Sequence, residues 1–113
     1  MKILFVNLQD VFGGGSTRAC YRLLEALNNI GVETTMFVQK KTGNDPRVFS
    51  LGSKKDKGLA ILKTHLDTMP LYFYPKRTSN FFSSNYVPSG TLIKTINSTD
   101  ADLVHLHWIG SGM

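Results

Sequence analysis

Lys2-Ile3-Leu4-Phe5-Val6-Asn7-Leu8, followed across a short loop by Gly13-Gly14-Gly15-Ser16, is the stretch that decides the fold. The first segment is a nearly unbroken apolar run rich in β-formers. That is the pattern of a strand covered on both faces, as in a parallel sheet. The glycines leave no Cβ in the way, so the chain can turn tightly and a ligand can approach its N–H groups. A helix follows to residue 30. Ser16 or Thr17 is the expected N-cap. Ala19, Leu23, Ala26, Leu27 and Ile30 recur at helical spacing and are expected to pack on the sheet. Gly31 sits where a left-handed C-terminal cap belongs. A glycine turn feeding a helix N-terminus can hold an anion. The turn matches neither G-x-G-x-x-G nor G-x-x-x-x-G-K-[ST], so a tight βα turn without a ligand stays open as the plainer reading.

Outward from this unit the chain continues as α/β. Residues 32–39 form a second β-branched, apolar run directly after Gly31. Strand, helix and strand make a right-handed βαβ unit with parallel strands. Residues 40–46 are a polar loop with Gly43, Asn44 and Asp45 as turn formers. A short strand is expected over 47–51 and a charged linker over 52–57. Leu59, Leu62, Leu66 and Met69 give a helix over 58–69 one apolar stripe, and Pro70 ends it. His65 falls off that stripe and reads as a surface residue. Residues 71–88 hold six aromatics (Tyr72, Phe73, Tyr74, Phe81, Phe82 and Tyr86) between prolines. They read as an irregular excursion that packs on something apolar, or that offers rings to a sugar or lipid. A short helix over 89–97, capped by Ser89 with Leu92, Ile93 and Ile96 inward, leads to a strand over 103–107.

Composition excludes several classes. The 113 residues make at most one domain, and 42% apolar with 19% charged residues is a folded composition, not a disordered one. The single Cys20 has no internal partner and reads as a packing residue. The apolar start is interrupted by Asn7, Gln9 and Asp10, too early for a signal peptide. No stretch approaches the roughly 18 apolar residues of a membrane span, so a cytoplasmic protein is expected. The net charge of +5 is concentrated in residues 40–77, with nine basic and three acidic side chains. A solvated surface is the plain reading of that segment. It could also meet an anionic membrane peripherally at its inner face, or a phosphorylated substrate. Nucleic acid is not expected, because no helix-turn-helix spacing or aromatic–arginine ladder is present.

The last strand ends in His105-Leu106-His107-Trp108. In open α/β sheets ligands bind beyond the carboxyl ends of the strands, so His107 falls on the rim that holds Gly13 to Ser16. His105 shares its strand face one pleat deeper and is expected in the core, fixing the strand. The H-x-H pair offers a metal too few ligands, so no metal is expected.

Taken together, Met1-Lys2-Ile3-Leu4-Phe5-Val6-Asn7, Gly14-Gly15-Ser16, Arg18-Ala19-Cys20-Tyr21-Arg22-Leu23 and Asp102-Leu103-Val104-His105-Leu106-His107-Trp108 resemble the N-terminal domain of the family 4 glycosyltransferases. These are retaining enzymes of the GT-B fold. The resemblance implies a Rossmann-like three-layer α/β domain with a parallel sheet, the acceptor-side half of a cleft. It implies that Gly14, Gly15 and Ser16 form the loop near the donor diphosphate and that His107 contacts the transferred sugar. The nucleotide-sugar would be a substrate, with no further cofactor. The family's E-x7-E pair and diphosphate clamp belong to a C-terminal donor domain, which becomes the expected partner, on this chain's gene or another. With the sequence ending at Met113, the reading is a partial first domain, incomplete at its C-terminus and inactive alone. A stand-alone anion- or nucleotide-binding module and a degenerate relic are the alternatives.

Overall fold

The computed structural model describes residues 1–50, 54–76 and 89–109. In chain order they form β1 (Lys2–Gln9), α1 (Gly14–Asn29), β2 (Glu33–Lys40), β3 (Val48–Ser50), α2 (Lys54–Thr68), a 3₁₀ turn (Met69–Phe73), α3 (Gly90–Ser98) and β4 (Leu103–Leu106). The four strands make one parallel sheet in the order β3-β2-β1-β4. Its register aligns Phe5 with Met36 on one side and with His105 on the other.

β1 is central because its side chains are apolar on both faces. Ile3 and Phe5 point to one side, where Cys20 and Leu24 of α1 cover them together with Met36, Val38 and Val48. Leu4 and Val6 point to the other, where Phe37 and then Leu92 and Ile96 of α3 close the second layer. The domain is therefore a three-layer Rossmann-like α/β unit, as the alternating strands and helices predict. Gly31, at φ 85°, ends α1. Its N–H reaches the Asn28 carbonyl and the Val32 N–H reaches that of Leu27, the paired bonds of a Schellman cap. At the foot of the sheet the Lys2 N–H donates to the Asp102 carboxylate at 2.7 Å, which fixes where β4 begins.

Several expectations are corrected. Neither Ser16 nor Thr17 caps α1. Gly13 is the N-cap and no side chain caps the helix. The buried face of α1 is Thr17, Cys20 and Leu24, with Tyr21 and Leu27 packed beside them, while Ala19, Leu23, Ala26 and Ile30 are exposed. The buried stripe lies one position on from the one the apolar spacing predicts, because Thr17 and Cys20 count weakly in a hydrophobic period although both fit a tight interior. Lys54 to Lys57 are not linker. They open α2, in keeping with the good helix propensity of lysine. Leu59, Leu62 and Met69 are exposed, and among the described side chains of that helix Lys63 and Asp67 are buried. A helical period establishes the helix but not which neighbour takes its stripe. Tyr72, Phe73 and Tyr74 are exposed, as is Ile93. Phe81, Phe82 and Tyr86, and residues 51–53 of the expected strand end and linker, lie outside the described residues.

β4 departs most from expectation. It is an edge strand, and all four of its residues are exposed. His105 is accordingly not a core residue.

The basic segment is also not one solvated face. The Lys41 ammonium donates to the Asp45 and Val48 carbonyls at 2.9 and 2.6 Å. Arg47 grips the Asp45 carboxylate through Nε and an amino nitrogen at 3.0 and 2.6 Å. The Tyr21 hydroxyl donates to the same carboxylate, tying α1 to the loop before β3. Arg47 first, then that phenol, hold the Asp45 carboxyl well below the usual range. Lys63 is buried, and burial lowers its pKa. No helix among the described residues is long and apolar enough to cross a membrane.

Candidate functional site

The chain runs β1, β2, β3 in one direction across the sheet, then returns to place β4 on the far side of β1. The reversal lies between β1 and β4. A crevice outside the carboxyl ends of the strands at such a point is where open α/β sheets bind ligands. The glycine turn leaves the carboxyl end of β1, and His107 and Trp108 leave that of β4.

A buried asparagine joins the two halves of this rim. The Asn7 amide donates to the Gln9 carbonyl at 2.9 Å and, at 3.4 Å, to the Thr17 hydroxyl in the first turn of α1. Its side-chain carbonyl accepts the Trp108 N–H at 3.3 Å. The His107 N–H, one residue earlier, donates to the Val6 carbonyl at 2.9 Å. One side chain thus sets the glycine turn and the end of β4 against a common support.

The glycines have separate reasons to be there. A Cβ on Gly13 would lie 1.9 Å from the Thr17 hydroxyl, so only glycine allows Thr17 to reach Asn7. Gly14 has φ 78°, a left-handed value that L-residues with side chains rarely adopt. Gly15 has neither constraint, and a Cβ there would meet open space. Gly14, Gly15 and Ser16 are exposed at the uncapped start of α1.

His107 and His105 lie on the α1 side of the sheet against Phe5. Their rings meet its ring nearly edge-on, with centroids 4.9 and 5.2 Å away, and each other at 4.2 Å. The depth order reverses the expectation: His105 is exposed and His107 half-buried. The pleat puts both on one face. No described strand pairs with the outer edge of β4, whereas His107 lies past the strand end, beside the backbone that Asn7 holds. His107 Nε2 is buried and has no hydrogen-bond partner among the described residues. Burial, and secondarily His105, lower the His107 pKa below its ordinary 6.5. The ring is therefore predominantly neutral at pH 7.

This has a measurable consequence. The folded chain binds the His107 proton less tightly than the unfolded chain does. The resulting stability is complete above the ordinary value and is lost as pH falls below 6.5. Urea midpoints at about pH 7.5 and about pH 5 should therefore differ, and His107→Gln should shrink the difference. An unchanged difference would assign the loss to other groups.

Two residues of the site stand in the sequence only as polar interruptions. Asn7 is one. Asp10 is the other. Its buried carboxylate accepts the Thr42 hydroxyl and N–H and the Gly43 N–H at 2.7–3.0 Å, fastening the loop after β2 below the glycine turn. Burial works to raise this carboxyl, but the bonds from Gly43 and Thr42 outweigh it and hold it below its ordinary value. The signal in the sequence was an amide and a carboxylate at the end of an otherwise buried strand, where an unpartnered polar group is costly. A shallow groove at the opposite, amino end of the sheet, beside Lys2, Glu33, Thr99 and Asp100, contains none of these residues.

Comparison of the chain with protein-family models, with curated proteins and with solved structures finds no match.

Proposed function

We propose that residues 1–113 supply the acceptor side of a retaining glycosyltransferase cleft, whose donor side is a second domain. In the reaction, the bond from the sugar's anomeric carbon to the diphosphate oxygen breaks. A bond from that carbon to an acceptor hydroxyl forms, the hydroxyl proton is lost and the nucleoside diphosphate leaves. The acceptor is a glycan or a lipid-linked saccharide. The observation that carries this reading is the joining of the glycine turn to the end of β4 through Asn7, at the switch point of the sheet. It sets the first turn of α1, which no side chain caps, on one side of the rim, and on the other a neutral imidazole whose buried nitrogen has no partner among the described residues. The first suits a phosphate and the second a sugar hydroxyl.

Transfer needs both substrates held in one closed site. Residues 1–113 alone, incubated with UDP-, GDP- and dTDP-sugars and oligosaccharide acceptors, should release no nucleoside diphosphate above a heat-killed control. Turnover by these residues alone would overturn the two-domain reading. A second reading, an anion- or nucleotide-binding module acting alone, draws on the uncapped N-terminus of α1. Saturable binding of UDP with no response to any saccharide would favour it. Peripheral contact with an anionic membrane through residues 40–77 is weakened by the internal use of Lys41 and Arg47 and the burial of Lys63.

A further inference from the structure

We propose that α2 and the 3₁₀ turn that continues it form a docking surface for an anionic lipid bilayer, lying in its interface rather than crossing it. This does not depend on the glycosyltransferase reading. The helix reverses the usual amphipathic arrangement. Lys63 and Asp67, one turn apart, are buried; Lys63 is 6% exposed, and its ammonium group has no hydrogen-bond partner among the described residues. Leu62 and Met69, seven residues and so two turns apart on one side, are exposed, as is Leu59 one turn before them. Neither apolar cluster of the sheet includes a described residue of α2. The 3₁₀ turn extends this surface. Tyr72, Phe73 and Tyr74 are exposed, Phe73 at 80%, on backbone closed by the bond from the Tyr74 N–H to the Leu71 carbonyl at 3.1 Å. A run of large apolar side chains left in water marks a contact surface.

Charge identifies the partner. Residues 54–77 contain six Lys or Arg and two Asp. Lys63 and Asp67 are buried together, which leaves five basic side chains and one acidic at the two ends of the apolar stretch. Of these, Lys55 and Lys76 are exposed. Protein–protein interfaces are depleted in lysine. Segments that lie in a membrane interface instead combine Lys and Arg with Leu and Phe that enter the acyl boundary. Tyrosine suits the headgroup level, where its ring is dry and its hydroxyl wet. Lys41 and Arg47 are engaged inside the domain and take no part. Apolar insertion therefore holds the chain to the bilayer, and the lysines select anionic lipid.

The full chain is mixed with vesicles of phosphatidylcholine alone, or with about 30% phosphatidylglycerol added, and the bound fraction is read by sedimentation. Uptake by the anionic vesicles should be about 10-fold higher or more, and the advantage should shrink as salt screens the lysines. Leu62→Asp and Phe73→Ser should each weaken uptake by about 10-fold. Their urea midpoints should stay at the wild-type value, since both side chains are exposed. Leu59→Ser, at the other end of the stripe, replaces any variant whose midpoint shifts. No uptake by either kind of vesicle would overturn the proposal. Equal uptake by wild type and variants would overturn it too, because the contact would then be made by charge alone. Sedimentation velocity without lipid addresses the remaining occupant. A monomer is expected. A dimer that Leu62→Asp dissolves would assign the patch to a second copy of the chain and overturn the bilayer.

Discussion

Asn7→Ala should destabilise the domain by about 2–4 kcal/mol, a large part of what a chain of this size has to spare. Asn7 is fully buried, and truncation removes all of its hydrogen bonds at once. The Thr17 hydroxyl would lose its partner at a buried position, and the Gln9 carbonyl and the Trp108 N–H would lose theirs at part-buried ones. A buried group left unsatisfied costs about 1–3 kcal/mol, more than the net worth of the bond that held it. The bonds to Thr17 and Trp108 are long, at 3.4 and 3.3 Å, so the total falls below the sum of three full penalties. Asn7→Asp should be at least as damaging, because a carboxylate cannot donate to the Gln9 carbonyl and its charge would be buried. Thr17→Val, which keeps the shape and removes only the hydroxyl, should cost about 1 kcal/mol. Urea unfolding of the three variants gives the order. If Asn7→Ala unfolded at the wild-type midpoint, Asn7 would not be the support that joins the two halves of the rim.

Asn7 also shows how far the fold can be read in the sequence. The apolar run around it identifies β1, because a strand covered on both faces has nothing else to present to its neighbours. Gly31 marks the end of α1, because a left-handed residue there is a local requirement. Residues 103–107 identify β4 by the same local logic. The polar contacts are different in kind. Asn7 meets Trp108 at a separation of 101 residues, and Asp10 meets Thr42 and Gly43 at 32 and 33. No period or cap rule spans such distances. Burial is likewise a property of neighbours. The pleat correctly puts His105 and His107 on one face. Their relative depth depends on the sheet order, which leaves β4 at an edge and exposes His105. The same limit applies to α2, where the spacing of Leu59 and Leu62 predicts a helix that is present, but not the side it presents.

His107→Ala should lower turnover about 10²-fold in the enzyme assembled with its donor side, with folding retained. The expectation rests on the glycosyltransferase reading and on where the ring is held. Retaining transfer builds positive charge on the sugar ring and negative charge on the departing phosphate. Groups that stabilise this distribution must already be in position. The His107 backbone is fixed by its bond to Val6, and its ring rests against Phe5. Its lowered pKa keeps it neutral, so it can orient a sugar hydroxyl without adding a repelling charge beside the developing cation. Loss of one such placed group typically costs two to three decades in kcat, and about the lower figure is expected where a single hydroxyl contact is removed. His107→Gln keeps a polar group of similar reach and should recover part of the loss. His105→Ala should change turnover and stability little, since its side chain is exposed on an edge strand. The decisive comparison is kcat per folded molecule, with folding monitored by far-UV circular dichroism. Full activity in His107→Ala, or a loss explained wholly by unfolding, would make this histidine structural and move the chemistry elsewhere on the rim.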